Sequence, residues 1–509
     1  MVDSVLVVGA GPVGLVLGCE LLQRGVPVRI VDAERLLTPH SRANVIWSRN
    51  LELLRRIEVT DDLLAAGHRI GGVAYYSNRR PLGAVWLRRL RGTPYPFALM
   101  IPQSVTEQVL RRRLAALGGT VEQGVRLVGL DAASGPPRVK LEHPDGHVEE
   151  AGFGWLVGAD GAHSTVRKQL GIGFDGEPVD VSFAIADAPL TTALPDDRSY
   201  YCYSPRGGLA MGPLGGGVFR LAVTVPHSDD GVPPPRELFQ RVVDERAPGR
   251  NVVGELNWST TFRVRCRIAH TFRAGRCFLV GDAAHIVSPA GGQGMNIGIQ
   301  DAVNLGWKLA GVLRGELAEA VLDSYDPERR QVADRVARST ALQTRFGVVR
   351  GSFRRGVRDA LARGAHLTGV AQRYLAPQLS QLDVRYGPAP GRGRGPVPVG
   401  GRLPVLLGAP AGTAAAGWPA VARDGFTALV WLGAARSAPP RPWPAPVSRR
   451  GTGAAGAPRR AWCAARDRSA APSSRPAVRR SGPARRAAPA RCRPARRCAR
   501  ASRRAARPR

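Results

Sequence analysis

Three clusters of small and acidic residues in this sequence have types and spacing that support chemistry. The first, Gly9-Ala10-Gly11-Pro12-Val13-Gly14, fits G-x-G-x-x-G and is answered by Asp32. In that spacing the first glycine allows a tight turn, the second lets backbone approach a pyrophosphate, and the third lets helix and sheet pack. The acid then accepts hydrogen bonds from a ribose, and the helix N-terminus favours phosphate by about 0.3 to 2 kcal/mol. The second cluster runs from Leu156 to Arg167 around Asp160-Gly161. The third is Gly281-Asp282-Ala283-Ala284-His285, followed by Pro289-Ala290-Gly291-Gly292-Gln293-Gly294-Met295-Asn296. Its glycines permit close backbone approach, and it runs into a helix expected to start near Asn296.

These clusters need a frame, and the apolar pattern supplies one. Val5 to Val8 reads as a buried strand, Leu15, Val16, Cys19 and Leu22 as a helix ending near Gly25, and Val28 to Val31 as a second strand. That βαβ unit calls for a right-handed crossover and a parallel sheet. Ser104 is expected to cap a charged helix running to about Leu117. Pro144-Asp145-Gly146 reads as a hairpin turn between Val139 to Glu142 and His147 to Glu150. Phe174 to Ile268 reads as a largely antiparallel sheet inserted between two halves of the first fold, with Gly215-Gly216-Gly217 as one of its turns. Cys277 to Val280 is another buried strand, and helices follow from Asn296 through Gly315 and on to about Leu375.

With these three fingerprints in order, residues 3 to 390 resemble the para-hydroxybenzoate hydroxylase family of single-component flavoprotein monooxygenases, and within it the aromatic polyketide hydroxylases. The resemblance implies that Gly9, Gly11, Gly14 and Asp32 hold the ADP half of FAD. It gives Arg42, Gln103 and Arg111 (or Arg112) as further cofactor contacts, and Asp160-Gly161 a part in binding FAD and nicotinamide. Asp282 would bind the ribityl chain. The loop Pro289 to Asn296, including Gly292 and Gly294, would pass the isoalloxazine ring, so Pro289, Met295 and Asn296 stand nearest the chemistry. The Met295 and Asn296 amides are the candidates to meet negative charge on reduced flavin.

The implied reaction is hydroxylation of an aromatic, polyketide-type substrate with NAD(P)H and O2 through a flavin C4a-hydroperoxide. A second dinucleotide fingerprint is not required for NAD(P)H in this family. The protein's tasks are to position the ring and keep water away. Substrate contacts are expected from the middle sheet, with Tyr200, Tyr201, Tyr203, Met211, Phe219 and Trp258 as candidates, although aromatic residues at strand spacing also build cores. A reductase or dehydrogenase, a simple-phenol hydroxylase, an epoxidase and a Baeyer-Villiger enzyme share the fold and stay open. Asn257-Trp258-Ser259-Thr260 does not supply the W-x-W-x-I-P motif of a flavin-dependent halogenase.

Composition sets the bounds. A chain of 509 residues corresponds to roughly three domains. Its apolar runs fall short of the roughly 20 residues of a membrane span, so a soluble protein with no membrane partner is expected. Seven cysteines without a CxxC pair suggest a reducing compartment and no metal site, and no signal-peptide pattern is evident, so a cytoplasmic location is expected. The net charge of +33 would suggest a nucleic-acid partner, but 22 arginines against one acid, Asp467, lie in residues 436–509. That stretch has no Leu, Ile, Phe, Met or Tyr and is expected to be disordered. With three lysines in the chain, it reads as frame-shifted sequence from a GC-rich genome, a genuine cationic tail being the rival. No nucleic acid is expected on the folded part.

The expected architecture is α/β: a Rossmann-like FAD-binding domain with an inserted, largely antiparallel substrate sheet. The expected divisions are 1–173 and 271–386 for the FAD-binding domain and its helices, and 174–270 for the substrate sheet. Residues 387–435 would form a linker and an incomplete thioredoxin-like remnant, and 436–509 the disordered basic tail.

Overall fold

The computed structural model describes residues 4–36, 43–133, 135–176, 178–225, 233–347, 349 and 351–387. The expectations for Arg42, for the thioredoxin-like remnant and for the basic tail lie outside them.

Strands Val5–Val8, Trp155–Gly158 and Cys277–Leu279 are apolar runs in which every residue is buried. This is the signature of parallel strands covered on both faces. They join a six-stranded sheet in the order Arg273–Ala274, Cys277–Leu279, Trp155–Gly158, Val5–Val8, Val28–Asp32, Val121–Gln123. Val5 pairs in parallel with Val28 on one side and with Trp155 on the other. The order of connection reverses at Val5–Val8, and such a reversal opens a crevice beyond the C-terminal ends of the strands. Helix Pro12–Leu22 covers one face of this sheet and packs against helix Gly294–Leu313. Gly298 permits that approach, since a Cβ there would lie 2.7 Å from Val13 Cγ2.

The second sheet has eight strands. Its path runs Asn251–Val253, Pro178–Thr192, Val218–Val225, Gly207–Gly215, Arg198–Ser204, Gly72–Ser77, Arg80–Trp86, with Trp258–Arg265 also paired to Pro178–Thr192. Most pairs are antiparallel, as expected, and Gly215, Gly216 and Gly217 make the turn with φ of +94°, +59° and +78°. The sheet is wider than residues 174–270. Arg198–Ser204 pairs in parallel with Gly72–Ser77, which brings 72–86 from the first part of the chain. A parallel pair joined by a long crossover carries no local turn signal to reveal it. Helix Arg236–Arg246 covers one face, where Phe239, Val242 and Val243 meet Ala184, Tyr200 and Leu221.

Helix boundaries differ from expectation by one or two residues. The helix expected to be capped by Ser104 starts at Gln103 after Pro102, and the one expected from Asn296 to Gly315 is Gly294–Leu313. The hairpin at Pro144-Asp145-Gly146 joins Arg138–Glu142 to Val148–Gly152. Among the described residues no helix is long and apolar enough to cross a membrane.

Candidate functional site

Three motifs spread over more than 270 residues meet at one edge of the parallel sheet because their strands are neighbours. Gly9 N–H donates to Val31 O at 2.8 Å, Ala159 N–H to Val8 O at 2.7 Å, and Val280 N–H to Gly158 O at 3.0 Å.

The three glycines of the first turn have three different surroundings. Gly9 has φ +106°, and a Cβ there would lie 2.3 Å from Ala159 O. A Cβ on Gly14 would lie 2.0 Å from Gly9 O, so this glycine seats the helix on the turn. At Gly11 a Cβ would meet nothing within 4 Å, which leaves backbone open to an approaching ligand. Asp32 closes the far side: its Oδ2 accepts from Ala10 N–H at 2.6 Å and its Oδ1 from Glu34 N–H at 2.8 Å. On helix Gln103–Ala116, Gln103 Nε2 donates to Glu107 Oε1 at 2.8 Å, and Arg111 reaches Ala10 O at 3.4 Å. Burial raises the Glu107 carboxyl above its ordinary pKa, against the pull of Gln103 and Arg111. Arg111 Nε is buried without a hydrogen-bond partner among the described residues. An open glycine, a ribose-type acid and an orphaned buried donor fit a dinucleotide at this end.

Asp160 turns inward. Its Oδ1 accepts from Ser164 Oγ at 2.6 Å and its Oδ2 from the amides of Thr165 and Val166 at 2.7 and 3.1 Å. Burial raises its pKa even against these bonds. Arg167 then bridges two motifs, donating to Ala283 O at 2.9 Å and Ala162 O at 3.0 Å. Behind the Gly281–Ala283 turn lies Asp301, which accepts from Gly281 N–H at 3.0 Å, and from His285 Nε2 and Arg329 Nε at 2.6 Å each. All three side chains are buried. Burial opposes ionisation of Asp301, but the charges of His285 and Arg329 hold it below the usual aspartate value. His285 is thus a brace for the turn, and Asp282 is exposed and lines the cavity below.

The loop Pro289 to Asn296 is held from three sides. Gly291 and Gly292 have φ of +77° and +60°, and a Cβ on Gly292 would lie 2.3 Å from Val45 Cγ1. Trp47 Nε1 donates to Gly291 O at 3.0 Å. Asn296 is fully buried: its Oδ1 accepts from Trp47 N–H and Asn50 Nδ2, while its Nδ2 donates to Val45 O and Gly292 O. Its side chain therefore shapes the loop, and only its backbone amide, with those of Gly294 and Met295, is free of the helix ladder that opens at Ile297 N–H to Gln293 O.

Between this loop and the second sheet lies a cavity of ≈ 430 Å³. Asp282, His163, Pro289, Gly292, Gly294 and Met295 line one side. Tyr201, Ala210, Met211, Arg220, Ala222 and Phe262 line the other. Tyr201 and Gly291 both border the cavity, and burial raises the Tyr201 pKa. Arg220 pairs bidentately with Asp187 at 2.5 and 2.7 Å, and Asp187 also accepts from Trp258 Nε1 at 2.7 Å. A second cavity of ≈ 240 Å³, beside helix Tyr325–Gly347, shares only Gln293 with this one.

Of the candidate substrate residues, Tyr201 and Met211 border the cavity, whereas Tyr203, Phe219 and Trp258 are not among its lining residues. Tyr200, Met211 and Phe219 belong to the core cluster beneath helix Arg236–Arg246. Tyr203 lies against Phe346 and Arg358, and Trp258 acts through Asp187. Strands alternate faces with period two, and both faces of this sheet are covered, so sequence does not tell one from the other. The residues that sequence reasoning left out are Trp47, Arg167, Asp187, Arg220, Asp301 and Arg329. Only Arg167 stood inside a motif.

Comparison with known proteins matches residues 3–340 to the family described as FAD binding domain. Over 404 residues the chain is 37% identical to 6-methylpretetramide 4-monooxygenase of Streptomyces rimosus, covering 76% of this chain and 72% of the relative. It is 35% identical over 387 residues to rifampicin monooxygenase of Streptomyces venezuelae, covering 75% and 79%. Among solved structures, OxyS anhydrotetracycline hydroxylase from Streptomyces rimosus superposes with a TM-score of 0.65 at 34% identity, covering 80% of this chain and 81% of that one.

Proposed function

Since the chain belongs to the FAD-binding-domain family of NAD(P)H-dependent aromatic monooxygenases, we propose that it hydroxylates a fused-ring aromatic substrate of polyketide type. The balance of that reaction is one NAD(P)H, one proton, one O2 and the arene giving NAD(P)⁺, water and the phenol. FAD supplies the hydride acceptor and the oxygen activation. The chain's residues do the rest. Gly9, Gly11, Gly14, Asp32, Gln103 and Arg111 are the proposed hold on the ADP half. Asp282 is the proposed ribityl contact, and Gly161, Gly292, Gly294 and Met295 the proposed surface for the ring. Asp160 and Asn296 act one step removed, by fixing the loops that carry these contacts.

The observation that carries the substrate reading is the sheet-side wall of the cavity. The cavity's ≈ 430 Å³ are shared between the flavin ring, on the side of Gly292, Gly294 and Met295, and the substrate, on the side of the second sheet. Ala210 and Ala222 face each other across two strands and keep the sheet side flat, a surface suited to a planar fused ring. Apolar Val45, Val73, Met100 and Phe262 exclude water. Arg220 places donors in the wall with its charge already balanced by Asp187. Relatives and a solved structure carry the names of 6-methylpretetramide, rifampicin and anhydrotetracycline, which are multi-ring compounds, and this supports the same reading.

The test is kcat/KM over a panel of tetracyclic, tricyclic and single-ring phenols. Fused-ring substrates should exceed single-ring phenols by at least tenfold, and Ala222→Phe should erase that preference while leaving FAD content unchanged. Equal or better turnover of single-ring phenols would move the assignment to a simple-phenol hydroxylase.

A further inference from the structure

Helix Ser352–Leu367 is amphipathic, and its apolar side points away from the protein. Phe353, Val357 and Leu361 recur at i, i+4 and i+8 and are 82%, 44% and 69% exposed, with Leu367 at 88%. The following helix, Val370–Leu379, adds exposed Val370 and Tyr374. The inward side of Ser352–Leu367 is polar. Arg358 is buried and donates to Phe346 O at 2.9 Å and Ser77 Oγ at 2.8 Å, and His366 packs on Tyr75. A helix that turns polar groups inward and a contiguous apolar stripe outward is built to be covered. On the same helix, a Cβ added at Gly356 or at Gly364 would meet nothing within 4 Å, so partner side chains have room beside Phe353, Val357 and Leu361.

Charge narrows the occupant. At 100° per residue, Arg354 and Arg363 flank the stripe on opposite sides. A second copy of this helix would bring the same arginines together, and residues 436–509, with 22 arginines, are repelled as well. One stretch of the remaining chain is both apolar and neutral. Residues 403–429 hold Leu403, Val405, Leu406, Leu407, Trp418, Val421, Phe426 and Leu429, with Arg423 and Asp424 as their only charges. They follow Gly387 after a linker of fifteen residues, 388–402, which reaches about 50 Å when extended. A tether of that length holds them at roughly millimolar effective concentration.

We propose that residues 403–429 of this chain dock on the stripe formed by Phe353, Val357, Leu361 and Leu367. The test places photoreactive benzoylphenylalanine at position 353 in the full chain, followed by irradiation and tryptic mapping. The expected adduct joins position 353 to peptide 403–423 within one copy. An adduct between two copies, an adduct to any other segment, or no adduct overturns the proposal. In a second measurement, Leu361→Asp at this exposed position should speed tryptic cleavage after Arg423 at least threefold with flavin content unchanged. An unchanged cleavage rate also overturns it.

Discussion

Two buried aspartate–arginine pairs, Asp301–Arg329 joined through one nitrogen and Asp187–Arg220 joined bidentately, have different tasks. Asp301 sits behind the Gly281–Ala283 turn, ties down its first amide and is sealed from solvent. Asp187 sits in the second sheet, where it aims Arg220 at the cavity. Around the first pair, backbone does the work: glycine turns, strand ends and amides make the surface offered to the cofactor. Around the second, side chains do. On the proposed function, the frame serves FAD binding and the wall serves substrate choice.

Breaking the first pair has the largest expected effect. Asp301→Asn leaves Arg329 buried without its counter-charge and should cost about 3–5 kcal/mol in a denaturant melt, with loss of bound FAD. The same group gives a pH signature. Its native pKa lies below the unfolded value, so its stabilisation is complete above about pH 4 and is lost as pH falls through the native value. Melts of the parent chain between pH 7 and pH 2 should show this acid limb, and Asp301→Asn should lack it.

Next come the glycines, one residue type in two surroundings. Gly14→Ala drives a methyl into Gly9 O and should cost about 1–3 kcal/mol in the cofactor-free melt. Gly11→Ala enters open space, so the same melt should be unchanged while FAD affinity, read by flavin fluorescence titration, falls about tenfold. Equal effects in both assays would remove the distinction between a packed and a ligand-facing glycine.

On the wall, Asp187→Asn should lower kcat/KM for the aromatic substrate about tenfold or more with FAD content retained, the converse of Asp301→Asn. The smallest effect is expected for Tyr201→Phe, which removes one buried hydroxyl from the cavity wall. It should cost about 0.5–1.5 kcal/mol, seen as a modest rise in substrate KM.

The same contrast explains what was legible in the sequence. Gly9, Gly11, Gly14, Asp32, Asp282 and the Pro289 loop stand out because glycine and acid recur there at short fixed spacing, and the structure brings these motifs to one edge of the parallel sheet. The βαβ start and the hairpin at Pro144-Asp145-Gly146 were readable for the same local reason. Trp47, Asp187, Arg220, Asp301 and Arg329 were not. Each is an isolated residue whose partner lies tens to hundreds of positions away, as Trp47 does from Gly291. The recruitment of 72–86 into the second sheet has the same cause, since its parallel partner is Arg198–Ser204. Tyr203, Phe219 and Trp258 were aromatic and on strands, but which face they occupy follows from packing on both sides of the sheet.

The most direct test of the central claim is oxygen tracing. The FAD-loaded chain is supplied with NADPH, a fused-ring aromatic polyketide and ¹⁸O2, and product mass is read against NADPH consumed. One ¹⁸O atom is expected in the product ring for each coupled turnover. NADPH oxidation that yields hydrogen peroxide and an unlabelled or merely hydrogenated substrate across the panel would contradict it.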